Sequence, residues 1–341
     1  MEFIKFPKTY ETVSSHNIDH SKIDSKEWMV TEKIHGANVS IYVNKSEIKL
    51  AKRTGFLEES EVFFGFSYLK NKLENPAFNI FKKLSNDYET LDYVIIYGEL
   101  CGGWYPESPG EWLGAKASGR ITPDGKIVVP QKIRGIQEGV YYSNSIGMIV
   151  FDIIVVLDDK TQIPINYDYI IQLCQDERLD VNIPLARGSY NDMIHYDINF
   201  DSLIPKVFGK EMAINNTCEG IVIRPVDYSD IGFCSVKIKN KYFAEICDKS
   251  PFTKNDEEQA LIFILSSMVN YNRLYNVVSE IGIDVNEENR EEIVKELIDD
   301  IITEYHCKYD IPWTNYEEKI KYLNDMCNNL LLENMSQVQM T

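Results

Sequence analysis

The hydrophobic pattern of this 341-residue chain changes period near residue 250, and that change constrains the fold more than any other feature. Before it, short segments rich in Val, Ile, Tyr and Phe recur between turn residues: Val39 to Val43, Ile48 to Lys52, Tyr93 to Leu100, Ile146 to Val156, Gly220 to Pro225 and Ser235 to Lys239. Segments of that length and composition read as strands, paired mainly antiparallel. Val39, Ile41 and Val43 alternate with Ser40 and Tyr42, and Asn44 to Glu47 can turn the chain into Ile48 and Leu50, which predicts a hairpin. Helices are expected over about 61–86, with a break at Pro76, and over about 167–178. After Pro251 the pattern becomes helical in Ala260 to Ile281, Asn289 to Cys307 and Tyr316 to Glu333, with Ile293, Leu297, Ile301 and Ile302 as one stripe. Asp256-Glu257-Glu258 suits the start of the first such helix, where the macrodipole favours negative charge. The predicted class is α+β: an antiparallel-sheet domain over residues 1–248, then a small all-helical domain over 249–341.

Composition removes several other classes. An apolar fraction of 44% supports ordinary cores and argues against disorder. Met1 to Ile18 mixes Lys5, Pro7, Lys8 and Glu11 among its apolar residues, so it lacks a signal-peptide core, and no later apolar run approaches membrane-spanning length. A cytoplasmic protein without a membrane partner is expected. Seven cysteines occur without a Cys-x-x-Cys pair and five histidines without metal-ligand spacing, which disfavours a disulfide framework and a structural zinc. The net charge of -18 opposes a nucleic-acid partner at face value. Its distribution weakens that objection, because residues 251–341 hold 7 Lys+Arg against 18 Asp+Glu. Positive charge in the first part is clustered at Lys49, Lys52 and Arg53, at Lys132 and Arg134, and at Lys237, Lys239 and Lys241, so local potential can oppose the global charge.

Six short segments carry chemistry. In Lys33-Ile34-His35-Gly36, at the mouth of a strand, an amine nucleophile stands beside a glycine that lets a phosphate approach the backbone. Lys52-Arg53-Thr54-Gly55 puts two cations at a strand end, suited to phosphate or ribose and equally to a basic hairpin edge. Gly98-Glu99-Leu100 ends an apolar strand with a carboxylate able to accept from sugar hydroxyls. Phe151-Asp152 sets a ring and an acid inside a hydrophobic strand, where the ring can stack on a base or simply fill the core. Glu219-Gly220-Ile221-Val222-Ile223-Arg224 and Val236-Lys237-Ile238-Lys239 complete the set. Lys237 and Lys239 fall on one strand face, and two adjacent ammonium groups repel unless an anion lies between them, so this strand is a candidate phosphate clamp.

In this order the segments resemble the collinear signature of covalent nucleotidyltransferases, and most closely the RNA ligase 2 family, which includes phage and kinetoplastid RNA-editing ligases. The resemblance covers about residues 1–245 and includes the Asn240-Lys241-Tyr242-Phe243 ending. It implies an ATP-grasp-like nucleotidyltransferase domain of antiparallel sheets flanked by helices, followed by a small helical domain. It also implies ATP and Mg2+ (or Mn2+), and as partner RNA with 3′-hydroxyl and 5′-phosphate ends, held as a nicked duplex. Carried over by position, Lys33 takes AMP, with His35, Lys237 and Lys239 as its catalytic companions. The nucleotide is contacted by Glu32, Asn38, Arg53, Glu99, Phe151, Glu219, Lys237 and Lys239, and metal by Glu219 and Asp152. Lys52, Arg224, Lys132 and Arg134 are expected on RNA, and Arg224 stands where the family's pattern leads one to expect lysine. The protein is expected to be a monomer, and a viral, phage or protist origin would suit the family.

Residues 102–145, with Trp104, Trp112, Lys116, Arg120, Lys126, Lys132 and Arg134, read as a long excursion between two strands, either RNA-contacting or a solvated loop. Two other functions suit the same fold. A capping guanylyltransferase forming lysyl-GMP would require an all-β barrel where the sequence predicts helices. A non-catalytic RNA-binding protein would require loss of catalytic groups, and the main ones are present.

Overall fold

Strands β1 (Trp28–Glu32) and β2 (Ala37–Val43) are separated only by the link Lys33 to Gly36, yet they belong to different sheets. This computed structural model describes residues 1–103, 120–121, 127–128, 136–137, 139–143, 145–210, 216–240, 243, 257–282, 285–308, 313 and 316–338. The chain divides into two units, Met1–Asn240 and Lys241–Thr341.

In the first unit the expected hairpin forms between β2 and β3 (Ile48–Lys52), with Val39 opposite Lys52 and Val43 opposite Ile48. With β4 (Gly55–Phe56) and β5 (Leu91–Cys101) these strands build most of a six-stranded sheet. A separate ribbon pairs β6 (Arg120–Ile121) with β7 (Ile127–Val128). β8 (Gly147–Leu157) and β9 (Gln162–Pro164) then complete the larger sheet in the order β4-β3-β2-β5-β8-β9, antiparallel throughout. β10 (Ala186–Gly188), β11 (Gly220–Pro225) and β12 (Val236–Lys239) join β1 in a four-stranded antiparallel sheet ordered β10-β1-β11-β12.

Side chains alternate across each sheet and so sort the residues by face. In the larger sheet Val39, Ile41, Val94, Ile96 and Leu100 enter one core, while Tyr42, Ala51, Tyr93, Ile95 and Tyr97 enter another on the opposite face. In the smaller sheet Trp28, Val30, Ile221, Ile223 and Val236 share a third core.

Helix α1 (Lys70–Asp87) packs on the first core through Leu73, Ala77, Ile80 and Leu84. The expected break at Pro76 does not occur. Pro76 removes one backbone donor, but the buried stripe around it keeps the helix docked. Helices α2 (Tyr167–Asp176), α3 (Tyr190–Ile194) and α4 (Ile204–Val207) complete this unit, α2 capped by the Asn166 side chain accepting from Asp168 N–H.

The second unit contains α5 (Glu257–Met268), α6 (Tyr271–Ile281), α7 (Arg290–Lys308) and α8 (Tyr316–Val338). The apolar run Ala260 to Ile281, read as one helix, is two, because Asn270 leaves helical geometry and caps α6 by accepting from Arg273 N–H at 3.1 Å. Ile293, Leu297 and Ile301 are buried together, as their spacing predicts, with Ile302 packed against them. Among the described residues no helix is long and apolar enough to cross a membrane.

Arg273 is fully buried in this helical core. It donates to Met268 O at 2.9 Å and to Glu304 at 2.9 Å, and it pairs with Asp300. Burial of the guanidinium depends on those carboxylates, and theirs depends on it. Arg273→Ala is expected to destabilise the helical unit by about 3–5 kcal/mol, read from the urea midpoint of the helical signal. A midpoint equal to the parent's would show that the carboxylates are satisfied without it.

Candidate active site

The link between the two sheets carries the first candidate residue. Lys33 N–H donates to Gly220 O at 2.9 Å, which ties the start of the link to β11. At its other end a Cβ on Gly36 would lie 2.3 Å from Leu100 O. Glycine is therefore required here by the backbone of β5, whereas the sequence suggested room for a phosphate. Between these anchors His35 N–H donates to Tyr142 Oη at 3.0 Å.

Glu219 receives the side chains of this link. Its carboxylate accepts from Lys33 Nζ at 2.6 Å, and it lies 3.7 Å from Lys239 Nζ and 3.8 Å from His35 Nδ1. Gly220, with φ +152°, allows the approach, since a Cβ there would sit 2.1 Å from Ile238 O. Asn240 N–H donates to Glu219 O at 2.7 Å and fixes the backbone. Only 1% of Glu219 is exposed. Burial pushes its carboxyl up, but Lys33, His35 and Lys239 together hold it below the ordinary carboxylate range.

Lys237 and Lys239 share a face of β12 opposite Val236 and Ile238, in register with Val222 and Gly220. On the larger sheet Asn38 pairs with Glu99, and Glu99 Cγ lies 3.1 Å from the Cβ position of Gly36. Arg53 follows Lys52 at the same sheet end, where Val39 opposes Lys52. Phe151 is the extra residue where the β5–β8 register slips between Tyr97 opposite Asp152 and Gly98 opposite Val150. Its ring joins the core that holds Tyr97 and meets Phe6 at 5.0 Å. Contacts thus join Lys33, His35, Glu219 and Lys239, while strand register brings Asn38, Arg53 and Glu99 to the same end of the larger sheet.

Four expectations are corrected. Glu32 is the last residue of β1, directly before the Lys33 link. It is 1% exposed and its carboxylate is engaged within the protein, accepting from Ser202 Oγ and, at 2.8 Å, from Leu203 N–H. Asp152 is fully buried 2.9 Å from Arg224, so it is not placed to hold a metal. Arg224 itself donates to Phe151 O at 2.8 Å and lies over the rings of Tyr167 and Tyr228, which removes it from RNA. Lys52 bonds Glu61 at 2.7 Å, nine residues on, instead of projecting toward a phosphate. Lys132 and Arg134 lie outside the described residues. Tyr142, Ser202, Tyr167 and Tyr228 were not singled out from sequence, where no motif marks them.

Among the described residues no group of three or more His, Cys, Asp and Glu converges as a metal cage. Glu219 alone fits a different arrangement, in which Mg2+ keeps several waters and is held by one carboxylate with substrate phosphates. It would take that role by exchanging one of its lysines.

The Glu32 carboxyl is pushed up to about 7 by burial, against the bonds from Ser202 and Leu203 that lower it. The folded protein therefore keeps a proton that the unfolded chain releases. That stabilisation is complete below the ordinary value of 4.5 and is lost as pH rises through about 7. Glu32→Gln should flatten this part of the stability profile, a change of about 2–3 kcal/mol between pH 4.5 and pH 8 read from urea midpoints. An unchanged slope would assign the proton to another group.

Residues 26–241 match the RNA ligase family, and residues 252–329 match the T4 RNA ligase 2 C-terminal family. RNA-editing ligase 2, mitochondrial, of Trypanosoma brucei brucei is 30% identical over 249 residues, covering 68% of this chain and 58% of the relative. RNA-editing ligase 1, mitochondrial, of the same organism is 26% identical over 231 residues, covering 63% and 48%. The chain thus spans about half the length of these curated relatives. A Naegleria gruberi RNA ligase mutant solved with ATP and Mn matches with a TM-score of 0.39 at 14% identity, covering 65% of this chain and 52% of that one. Another, solved with AMP and Mn, matches with a TM-score of 0.43 at 13% identity, covering 71% and 57%. By the matches over both of its units, this chain belongs to the RNA ligase 2 family of RNA ligases.

Proposed function

We propose that this protein is an ATP-dependent RNA ligase that joins a 3′-hydroxyl to a 5′-phosphate across a nick in duplex RNA, through lysyl-AMP and an RNA-adenylate. The observation that carries the reading is the Lys33 amine held 2.6 Å from a buried Glu219 that also faces Lys239. A lysine so placed is aimed by one carboxylate beside a second cation that suits a phosphate.

The attacking form of Lys33 is the free amine, so its bond to Glu219 opens and Nζ loses a proton to solvent. Glu219 aims the lysine. Nζ then forms a bond to the α-phosphorus of ATP as the bond to pyrophosphate breaks. Lys237 and Lys239 hold the α-phosphate, Arg53 and Glu99 the ribose, and Phe151 stacks on adenine, with Asn38 beside Glu99. Glu219 would hold Mg2+ (or Mn2+), which would supply neutralisation of phosphate charge. The RNA 5′-phosphate next takes AMP from Lys33, and the 3′-hydroxyl attacks that end and releases AMP. His35, 3.8 Å from Glu219, is assigned to these later steps. Lys132 and Arg134 are assigned to RNA phosphates, and residues 249–341 to the sealing step.

Incubation with labelled ATP or GTP and magnesium tests the reading. ATP alone should leave a label that survives denaturation and disappears in Lys33→Ala, and Glu219→Ala should slow its formation by about 10²–10³-fold. A GTP-specific adduct would point to capping chemistry, and no adduct with either nucleotide would remove both enzymatic readings. Deleting residues 251–341 should spare adenylation while sealing of RNA ends falls sharply. Equal loss of both would make the helical unit structural.

A further inference from the structure

The family match begins at residue 26, but the segment before it reaches both halves of the site. Residues Met1 to His16 run as a strap. On the larger sheet, Ile4 O accepts from Tyr42 Oη and Tyr97 Oη, each at 2.8 Å, and Glu2 O accepts from Tyr93 Oη at 3.1 Å. On the smaller sheet, Tyr10 bridges Val236 in parallel, Lys237 N–H donates to Tyr10 O at 2.7 Å, and Tyr10 N–H donates to Ser235 O at 3.3 Å. The strap therefore pairs with the edge strand that carries Lys237 and Lys239.

Between these anchors lies Phe6, 9% exposed. Its ring centroid is 5.0 Å from Phe151 at 75°, 4.9 Å from Tyr97 and 5.2 Å from Phe233. The Phe151 backbone is held independently by Arg224, which donates to its carbonyl. The backbone of the bulge is thus fixed from β11, and its ring from the strap. A ring that stacks on a base does so more tightly when its orientation is set in advance, because less freedom is lost on binding.

We propose that Phe6 is a positioning residue for the nucleotide: it fixes the tilt of Phe151, while Tyr10 of the same strap holds the phosphate-clamp strand in register. The inference rests on the adenylation reading above, with Phe151 as the base-stacking ring.

The test uses the complete chain and follows lysyl-adenylate formation against ATP concentration for the parent, Phe6→Ala, Phe6→Leu and Phe3→Ala. Phe3 sits on the same strap with ring contacts to Tyr42 and Phe56, and so controls for general loosening. Phe6→Ala should raise KM for ATP about five- to tenfold and Phe6→Leu about threefold, with kcat within about twofold of the parent. Inhibition by inorganic tripolyphosphate, which has no base, should stay at the parent's value. Phe3→Ala should keep the parent's KM even where its urea midpoint falls. Should Phe6→Ala not fold, Phe6→Leu decides. A parental KM in the folded Phe6 variants, an equal rise in Phe3→Ala, or a matching loss of tripolyphosphate affinity would each overturn the proposal. If the parent forms no ATP adduct, the ligase reading fails and this inference fails with it. If the parent forms the adduct and the Phe6 variants bind ATP as it does, only this inference fails.

Discussion

A carboxylate removed from water must be matched by positive charge, and Glu219 is matched by the residues that the proposed chemistry needs. Without it, Lys33 and Lys239 would lose the buried carboxylate that both approach. The same contact joins the first connection of the fold to its last strand in the smaller sheet. A chain in which β11 and β12 had not paired would have no place for Glu219, and Lys33 would have no orientation.

A second buried pair lies nearby. Asp152 comes from β8 in the larger sheet and Arg224 from β11 in the smaller, so their contact ties the sheets together. Burial raises the Asp152 carboxyl and Arg224 opposes the rise, and the rings of Tyr167 and Tyr228 give the guanidinium further favourable contact. One guanidinium nitrogen, Nη1, donates to Phe151 O and lies 2.9 Å from Asp152, while the flat guanidinium lies over two rings.

What could be read from the sequence followed from local period. The shared face of Lys237 and Lys239, the Val39–Ile48 hairpin and the Ile293–Leu297–Ile301 stripe are each set by residues a few positions apart. Partners distant in sequence could not be read this way. Arg224 and Asp152 looked like surface and metal residues because neither segment states that the other lies beside it. Lys52 was assigned outward for the same reason, although its partner is Glu61. Glu32 was grouped with the motif for the same reason, although its carboxylate is held by Ser202 and Leu203. At Pro76 local propensity pointed to a break, and burial of Leu73, Ala77, Ile80 and Leu84 outweighed it. The boundary at Asn270 rests on one side-chain cap, which a strongly apolar run conceals.

Gly36 and Gly220 bracket the site without any side chain of their own, and each is held there by a neighbouring carbonyl oxygen too close for a methyl group. They act as spacers: one sets how far the lysine link stands from β5, the other how far Glu219 stands from β12. Replacing either would leave every reactive group present and move the distances between them. In a survey of substitutions scored by activity alone, these two positions would look like catalytic residues, although what they contribute is distance.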